Sequence, residues 1–253
     1  NLDSFTTDGT VASAQKISNL YGSFPSRYQI GASDYFGYSS TSLGDLDGDG
    51  SPDIAVGARY DDDGGTDCGA VYILFMATDG NVKSAQKISD WGSSHFNQFY
   101  SLGSYDYFGT SVASMGDLDG DGVIDLVVGA SYDDDGGTNT GAVYILYLTT
   151  HGDVQSAQKI SNHYGEFPYT IGASDLFGDS IAGLGDVNGD GVMDIAVGAN
   201  GDDDGGSAAG SMYILFLTTD GLVRSAQKIG ALYGGLSAFY TPAASDYFGY
   251  GCG

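Results

Sequence analysis

Basic residues are scarce in this chain. Eight Lys and Arg stand against 33 acidic residues in 253, a formal net charge of −25. Phosphate binding needs a basic footprint, so nucleic acid is excluded as a partner and adhesion to an anionic membrane surface is disfavoured. Long apolar runs are also missing. The longest, Ala70 to Ala77, is far too short to span a bilayer, so no membrane insertion is expected. Proline is rare, at four, and the 42 glycines follow no Gly-X-Y period, which rules out collagen. Charged residues are only 16% and hydrophobic ones 42%, which rules out a disordered acidic tail. Glutamate is nearly absent: Glu166 is the single Glu beside 32 Asp. An acidity serving solubility alone would use both. Aspartate is favoured where a short carboxylate must reach backbone amides in a turn, or where several must converge on one cation.

What is present is a repeat. Asp34-Tyr35-Phe36-Gly37 recurs from Asp106, Asp175 and Asp246, at spacings of 72, 69 and 71. Ser13-Ala14-Gln15-Lys16-Ile17 recurs from Ser84, Ser156 and Ser225, at spacings of 71, 72 and 69. Two independent markers thus agree on a period near 71. Within the second copy, 108–115, 124–128, 142–148 and 154–160 read as strands, separated by turns at 117–125, 133–137 and 151–152. No stretch shows sustained helical periodicity with caps. Four strands per repeat, up and down, is a propeller blade, which must stack on its neighbours to bury both faces. The fold class expected is all-β: a β-propeller of four-stranded antiparallel blades. Lys16, Lys87, Lys159 and Lys228 recur on the fourth strand, where a charge is expected to keep an exposed outer edge from unwanted pairing.

Three loops carry chemistry. Asp45 to Asp53, Asp117 to Asp125 and Asp186 to Asp194 all fit Asp-x-[Asp/Asn]-x-Asp-Gly-x-x-Asp. The first supplies Asp45, Asp47, Asp49, the carbonyl of Ser51, and Asp53. The second supplies Asp117, Asp119, Asp121, the carbonyl of Val123, and Asp125. The third supplies Asp186, Asn188, Asp190, the carbonyl of Val192, and Asp194. Side chains at positions 1, 3 and 5 converge as the loop curls, Gly at position 6 permits the sharp turn, and position 9 is expected to close the shell. An all-oxygen, roughly seven-coordinate set suits Ca²⁺ better than Mg²⁺. An EF-hand would place Glu at position 12 between helices; Val56, Val128 and Val197 stand there, inside strands. Three sites are expected, and three Ca²⁺ would bring −25 to −19.

These repeats resemble FG-GAP repeats, the units of the integrin alpha-subunit propeller. The motif stands as Phe36-Gly37 with Gly57-Ala58, Phe108-Gly109 with Gly129-Ala130, and Phe177-Gly178 with Gly198-Ala199. The resemblance covers nearly the whole chain. It implies Ca²⁺ between the first and second strands, on one face of the propeller, and an extracellular adhesive or ligand-binding role. Two departures are visible. Arg59, Ser131 and Asn200 replace the Pro of the motif, and the repeat is longer through its last loop. Integrin-like ligand recognition is therefore not carried over.

A second acidic loop follows the second strand: Asp61 to Gly65, Asp133 to Gly137 and Asp202 to Gly206. It reads either as a further cation site or as a solvated turn. The last loop of each repeat is rich in aromatic residues, among them Phe24, Tyr28, Trp91, Phe96, Phe99, Tyr100, Phe167, Tyr169, Phe239 and Tyr240. It lies on the face opposite the calcium loops. Variable aromatic loops on a rigid scaffold suit recognition of a protein or glycan ligand; the alternative is that the rings pack between blades. No nucleophile–base constellation repeats, so no catalytic role is expected.

The expected division is 1–33 as the end of a split blade with its connecting loop, 34–105, 106–174 and 175–245 as three repeats, and 246–253 as the first strand of the split blade. That blade could close within one chain or head-to-tail between chains, giving oligomers or filaments. Cys68 and Cys252 occupy unrelated repeat positions, so either a disulfide or two isolated thiols fits. No Asn-x-Ser/Thr sequon occurs. The absence of an initial Met fits a processed, secreted protein. The function expected is an extracellular calcium-binding propeller module with an adhesive or structural role. The alternatives are a lectin using the aromatic loops, or a non-catalytic repeat domain of a larger secreted hydrolase.

Overall fold

The computed structural model describes residues 10–11, 13–91 and 95–252. Twelve strands form three four-stranded antiparallel sheets. The first blade is β1 (Phe36–Gly44), β2 (Asp53–Ala58), β3 (Ala70–Met76) and β4 (Val82–Ile88). The second is β5 (Phe108–Gly116), β6 (Asp125–Ala130), β7 (Ala142–Leu148) and β8 (Val154–Ile160). The third is β9 (Phe177–Gly185), β10 (Asp194–Ala199), β11 (Ser211–Leu217) and β12 (Val223–Gly230). In each, spatial order follows chain order, so the β1–β2 and β3–β4 turns share one end of the blade and the β2–β3 loop lies at the other. This is the propeller blade expected from the repeat.

Sequence explains the position of each strand. Ala-Val-Tyr-Ile-Leu-Phe-Met on β3 is buried throughout, between the second blade and the connection bearing Phe24 and Tyr28, as is Ala-Val-Tyr-Ile-Leu-Tyr-Leu on β7, between the first and third blades. The first strands are instead made of small residues, and β1, β5 and β9 pack side by side. Here the two glycines of the motif meet. A Cβ on Gly57 would lie 2.1 Å from the carbonyl oxygen of Gly109, and one on Gly129 would lie 2.0 Å from that of Gly178. The Gly of each Gly-Ala pair therefore seats the Phe-Gly pair of the next blade, at a separation that admits no side chain. Ser39 and Ser111 donate to those same carbonyls at 2.8 and 2.7 Å.

Blades are also strapped backbone to backbone. The Phe108 amide donates to the Cys68 carbonyl at 2.9 Å, and the Phe177 amide to the Thr140 carbonyl at 3.0 Å. The 246–250 segment docks on the third blade in the same way, through Phe248 to Ala209 at 3.0 Å and Gly249 against Gly198. It forms only an isolated bridge with Gly210, and no fourth sheet is present among the described residues. Of the strands expected in 1–18, the greater part lies outside the described residues, and 13–17 carry none. The Ser18–Tyr21 bridge nonetheless matches the Gly230–Tyr233 bridge after β12.

Burial corrects one expectation and decides between two readings of another. The fourth-strand lysines do not guard an exposed edge. Lys87, Lys159 and Lys228 are buried, with side chains only 4–5% exposed. The following connection folds over them, and their ammonium groups turn inward to the aspartates of the β2–β3 loop. The aromatic loops largely pack rather than project: Phe24 and Tyr28 sit on Tyr72, Phe96 and Tyr100 on Tyr144, and Phe167 and Tyr169 on Tyr213, with centroids 5.4–5.9 Å apart. Tyr28, Tyr100 and Tyr169 also accept from the amides of Lys87, Lys159 and Lys228 at 3.1–3.3 Å. Trp91, Phe99, Phe239 and Tyr240 remain exposed. The cysteines are both free thiols, and burial pushes Cys68 up to about 11.

Candidate metal centre

The β1–β2 loop and its counterparts are each built by a chain of side-chain-to-backbone hydrogen bonds. In the first, Asp45 accepts from the Gly50 amide at 2.9 Å, Asp47 from Asp49 at 3.2 Å, and Asp49 from Ser51 at 2.8 Å. In the second, Asp117 accepts from Gly122 at 2.9 Å, Asp119 from Asp121 at 3.1 Å, and Asp121 from Val123 at 2.8 Å. The third repeats the pattern with Asp186, Asn188 and Asp190 at 2.8–2.9 Å. Each turn engages one side-chain oxygen, a carboxylate's or the Asn188 amide's, and curls the chain toward a point. Glycines at positions 4 and 6 take the left-handed conformation this requires, at φ 77° and 91° in the first loop.

The first two loops gather positions 1, 3 and 5. One oxygen each from Asp45, Asp47 and Asp49 lies within 4.8 Å of the others, and the same holds for Asp117, Asp119 and Asp121. Position 9 is placed differently. Asp53 accepts from the amides of Leu46 and Met76 at 3.0 and 2.9 Å, Asp125 from Leu118 and Leu148 at 2.8 and 3.2 Å, and Asp194 from Val187 and Leu217 at 3.0 and 3.3 Å. This buried carboxylate clamps the loop to the third strand of the blade. Each of its oxygens keeps a second lone pair for a cation. Burial pushes Asp125 up to about 7, against the amide hydrogen bonds that favour its charge; the nearby charges of Asp119 and Asp121 push the same way. Asp53 is raised in the same manner. Crowded, partly desolvated carboxylates of this kind are stabilised by a positive charge. Ser51, Val123 and Val192 hold position 7, where the backbone carbonyl is the donor available for a metal.

Two loops carry a basic side chain that the sequence reading missed. Lys83 on β4 reaches Asp47 at 2.5 Å and also pairs with Asp49, holding Asp49 below the usual carboxylate range. Arg224 on β12 meets Asp190 at 2.5 Å. The equivalent residue on β8 is Gln155. The signal was available: Lys83, Gln155 and Arg224 occupy one repeat position, facing a loop more than 30 residues earlier. These ion pairs offset part of the negative charge of the first and third loops. The donors are all oxygen and converge, so they fit a hard divalent ion of the calcium type.

The second acidic loop is a different centre. Asp61 lies 2.6 and 2.7 Å from Lys87, accepts from the Tyr72 hydroxyl at 2.9 Å, and is buried; Asp63 meets the same ammonium at 2.6 Å. Asp133 with Lys159 and Tyr144 repeats this at 2.8 and 2.9 Å, and Asp202 with Lys228 and Tyr213 at 2.5 and 3.3 Å. Burial lowers the pKa of Lys159, but Asp133 and Asp135 outweigh it and hold the ammonium above its ordinary value. The loop is thus neither a free turn nor a vacant acidic pocket. The middle acids, Asp62 and Asp134, cap the amides of Asp67 and Asn139 at 2.9 and 2.7 Å.

Comparison with known proteins agrees with this architecture. The FG-GAP repeat model matches residues 36–74 and 177–215, and a second FG-GAP repeat model matches 102–147. The chain belongs to the FG-GAP repeat family. It is 35% identical over 185 residues to integrin alpha-PS2 of Drosophila melanogaster, covering 69% of this chain and 12% of that protein. It is 35% identical over 185 residues to integrin alpha-11 of Homo sapiens, covering 68% and 13%, and 32% identical over 175 residues to integrin alpha-5 of Xenopus laevis, covering 67% and 15%. The chain thus spans 12–15% of the length of these relatives. Each FG-GAP match takes in a β1–β2-type loop. Where the motif has Pro, Arg59 lies over the rings of Tyr38, Tyr60 and Tyr107 at 4.3, 4.5 and 5.2 Å, and Asn200 donates to Asp179 at 2.6 Å.

Proposed function

We propose that this chain is an extracellular, calcium-binding propeller module with an adhesive or structural role. The observation that carries the reading is the threefold recurrence, in one register, of a loop curled by the same side-chain-to-backbone hydrogen bonds, with the carboxylates of positions 1, 3 and 5 gathered in the first two. Calcium would sit among Asp45, Asp47, Asp49 and Asp53, among Asp117, Asp119, Asp121 and Asp125, and among Asp186, Asn188, Asp190 and Asp194, with the carbonyls of Ser51, Val123 and Val192. It would supply the positive charge these carboxylates lack and fix the loop at the end of each blade.

The likeness to integrin alpha chains supports a cell-surface or secreted setting and a protein ligand. No helix among the described residues is long and apolar enough to cross a membrane. Extracellular calcium modules commonly bind with Kd around 10⁻⁴–10⁻³ M, matched to the millimolar calcium outside cells. Self-association is the finer part of the proposal. Lys16 stands where Lys87, Lys159 and Lys228 are buried, yet it is exposed, and among the described residues it lies over the Tyr21 ring at 5.4 Å. A second copy presenting a β2–β3-type acidic loop would cover it. Sedimentation in Ca²⁺ reads this directly, and a strictly monomeric particle removes it.

The test of the calcium reading is the melting temperature in EDTA and in millimolar Ca²⁺. Three sites at tenfold Kd contribute about 1.4 kcal/mol each, a rise on the order of 10 °C for a domain of this size. A melt that does not respond to EDTA contradicts the proposal.

A further inference from the structure

The three calcium-type loops share a fold but not a charge. Each is overhung by the second residue of the fourth strand of its own blade: Lys83, Gln155 or Arg224. Lys83 bridges Asp47 and Asp49, and Arg224 holds Asp190. Gln155 brings no charge to Asp117, Asp119 or Asp121, and all three are exposed. The third loop also has Asn188 where the others have Asp47 and Asp119. Summed over positions 1, 3, 5 and 9 and the overhanging residue, the second loop carries four negative charges. The first carries four less one, or three, and the third carries three less one, or two.

We propose that Lys83 and Arg224 are built-in counter-ions that compete with Ca²⁺, so that the loops fill in a fixed order: second, then first, then third. The inference rests on the calcium reading above and adds what that reading lacks, a difference between sites. Without metal, the tethered cation neutralises two carboxylates of the first loop; the second loop curls through the same hydrogen bonds but has no such counter-charge. With metal, the ammonium or guanidinium must leave the carboxylate oxygens that the ion needs. An exposed ion pair of this kind contributes a modest amount, so each competitor weakens its own loop by about two- to fivefold rather than abolishing binding. The three affinities spread the response of one chain over a range of calcium concentrations, with the middle blade occupied first.

The test is a Ca²⁺ titration of the full chain, read by the amide NMR signals of Gly50, Gly122 and Gly191, each at position 6 of its loop. Gly122 is expected to shift at the lowest calcium, Gly50 next and Gly191 last. Lys83→Gln should lower the Gly50 midpoint about two- to fivefold and leave Gly122 in place. Gln155→Lys should raise the Gly122 midpoint by a similar factor. Glu166→Gln, which also changes the charge by one unit but at an exposed residue of the 162–174 connection, should move none of them. Equal midpoints that ignore Lys83→Gln and Gln155→Lys overturn the ordering while leaving calcium binding intact. Absence of any shift at all three glycines overturns the calcium reading and the ordering with it.

Discussion

Each blade carries two aspartate-rich loops, one at either end, and they are neutralised in different ways. At one end, Asp45, Asp47 and Asp49 face solvent on a chain of tight turns, and the positive charge must come from outside the loop. At the other, Asp61 is buried against Lys87 and Tyr72, and Asp63 closes over the same ammonium. Composition does not separate the two. Geometry does: in the first loop, alternate residues converge because successive turns roll the chain into an arc. In the second, consecutive acids point in different directions, and a lysine 26 residues later arrives on the neighbouring fourth strand. The same residue type thus makes an open cluster of carboxylates at one end and a closed ion pair at the other.

The largest expected effect breaks this contrast by removing the internal cation. Lys159→Met leaves Asp133 buried and uncompensated, and should cost about 3–5 kcal/mol in urea unfolding. Calcium should not restore that loss, whereas recovery in millimolar Ca²⁺ would mean that the β2–β3 loop accepts a free ion after all. The mirror variant is Asp121→Asn. It should change little in EDTA and forfeit about 1.4 kcal/mol of stability in calcium at tenfold Kd.

A smaller effect concerns the surplus carboxylates beside the closed pairs. Burial, with the charge of Asp133 adding to it, pushes Asp106 up to about 7, and burial pushes Asp175 up to about 6, from a usual value of 3.8. A folded-state value above the unfolded one means the native state binds the proton more tightly. Their contribution to stability is therefore fully present below about pH 4 and lost as pH rises through 6 to 7. In EDTA the protein should gain on the order of 1 kcal/mol between pH 8 and pH 5, and Asp106→Asn should flatten that profile. An unchanged slope in the variant assigns the dependence elsewhere.

Much of this fold is legible in sequence because the repeat aligns equivalent positions. The strands over 142–148 and 154–160 fall where the pattern put them, and the Asp loops stand between the first and second strands. What was not legible depends on partners distant along the chain. A lysine on an outer strand reads as solvent-facing until the following loop is seen to cover it. The constant spacing of Lys87, Lys159 and Lys228 from Asp61, Asp133 and Asp202 was the available signal. The aromatic loops read equally as recognition or as packing, because residue type alone does not say which neighbour a ring meets. The acid at position 9 reads as a ligand, and only coordinates show it also tied to two amides. Phe-Gly and Gly-Ala are visible as a motif, but their reason lies between blades, where Gly57 and Gly109 touch.

The central claim is that one end of each blade takes its cation from solution while the other carries its own. Crystals soaked in a terbium salt, a calcium substitute with strong anomalous scattering, test it most directly. The account predicts anomalous peaks among Asp45, Asp47 and Asp49, among Asp117, Asp119 and Asp121, and among Asp186, Asn188 and Asp190, with none beside Asp61, Asp133 or Asp202. Peaks at the lysine-paired aspartates, or empty β1–β2-type loops, would contradict it.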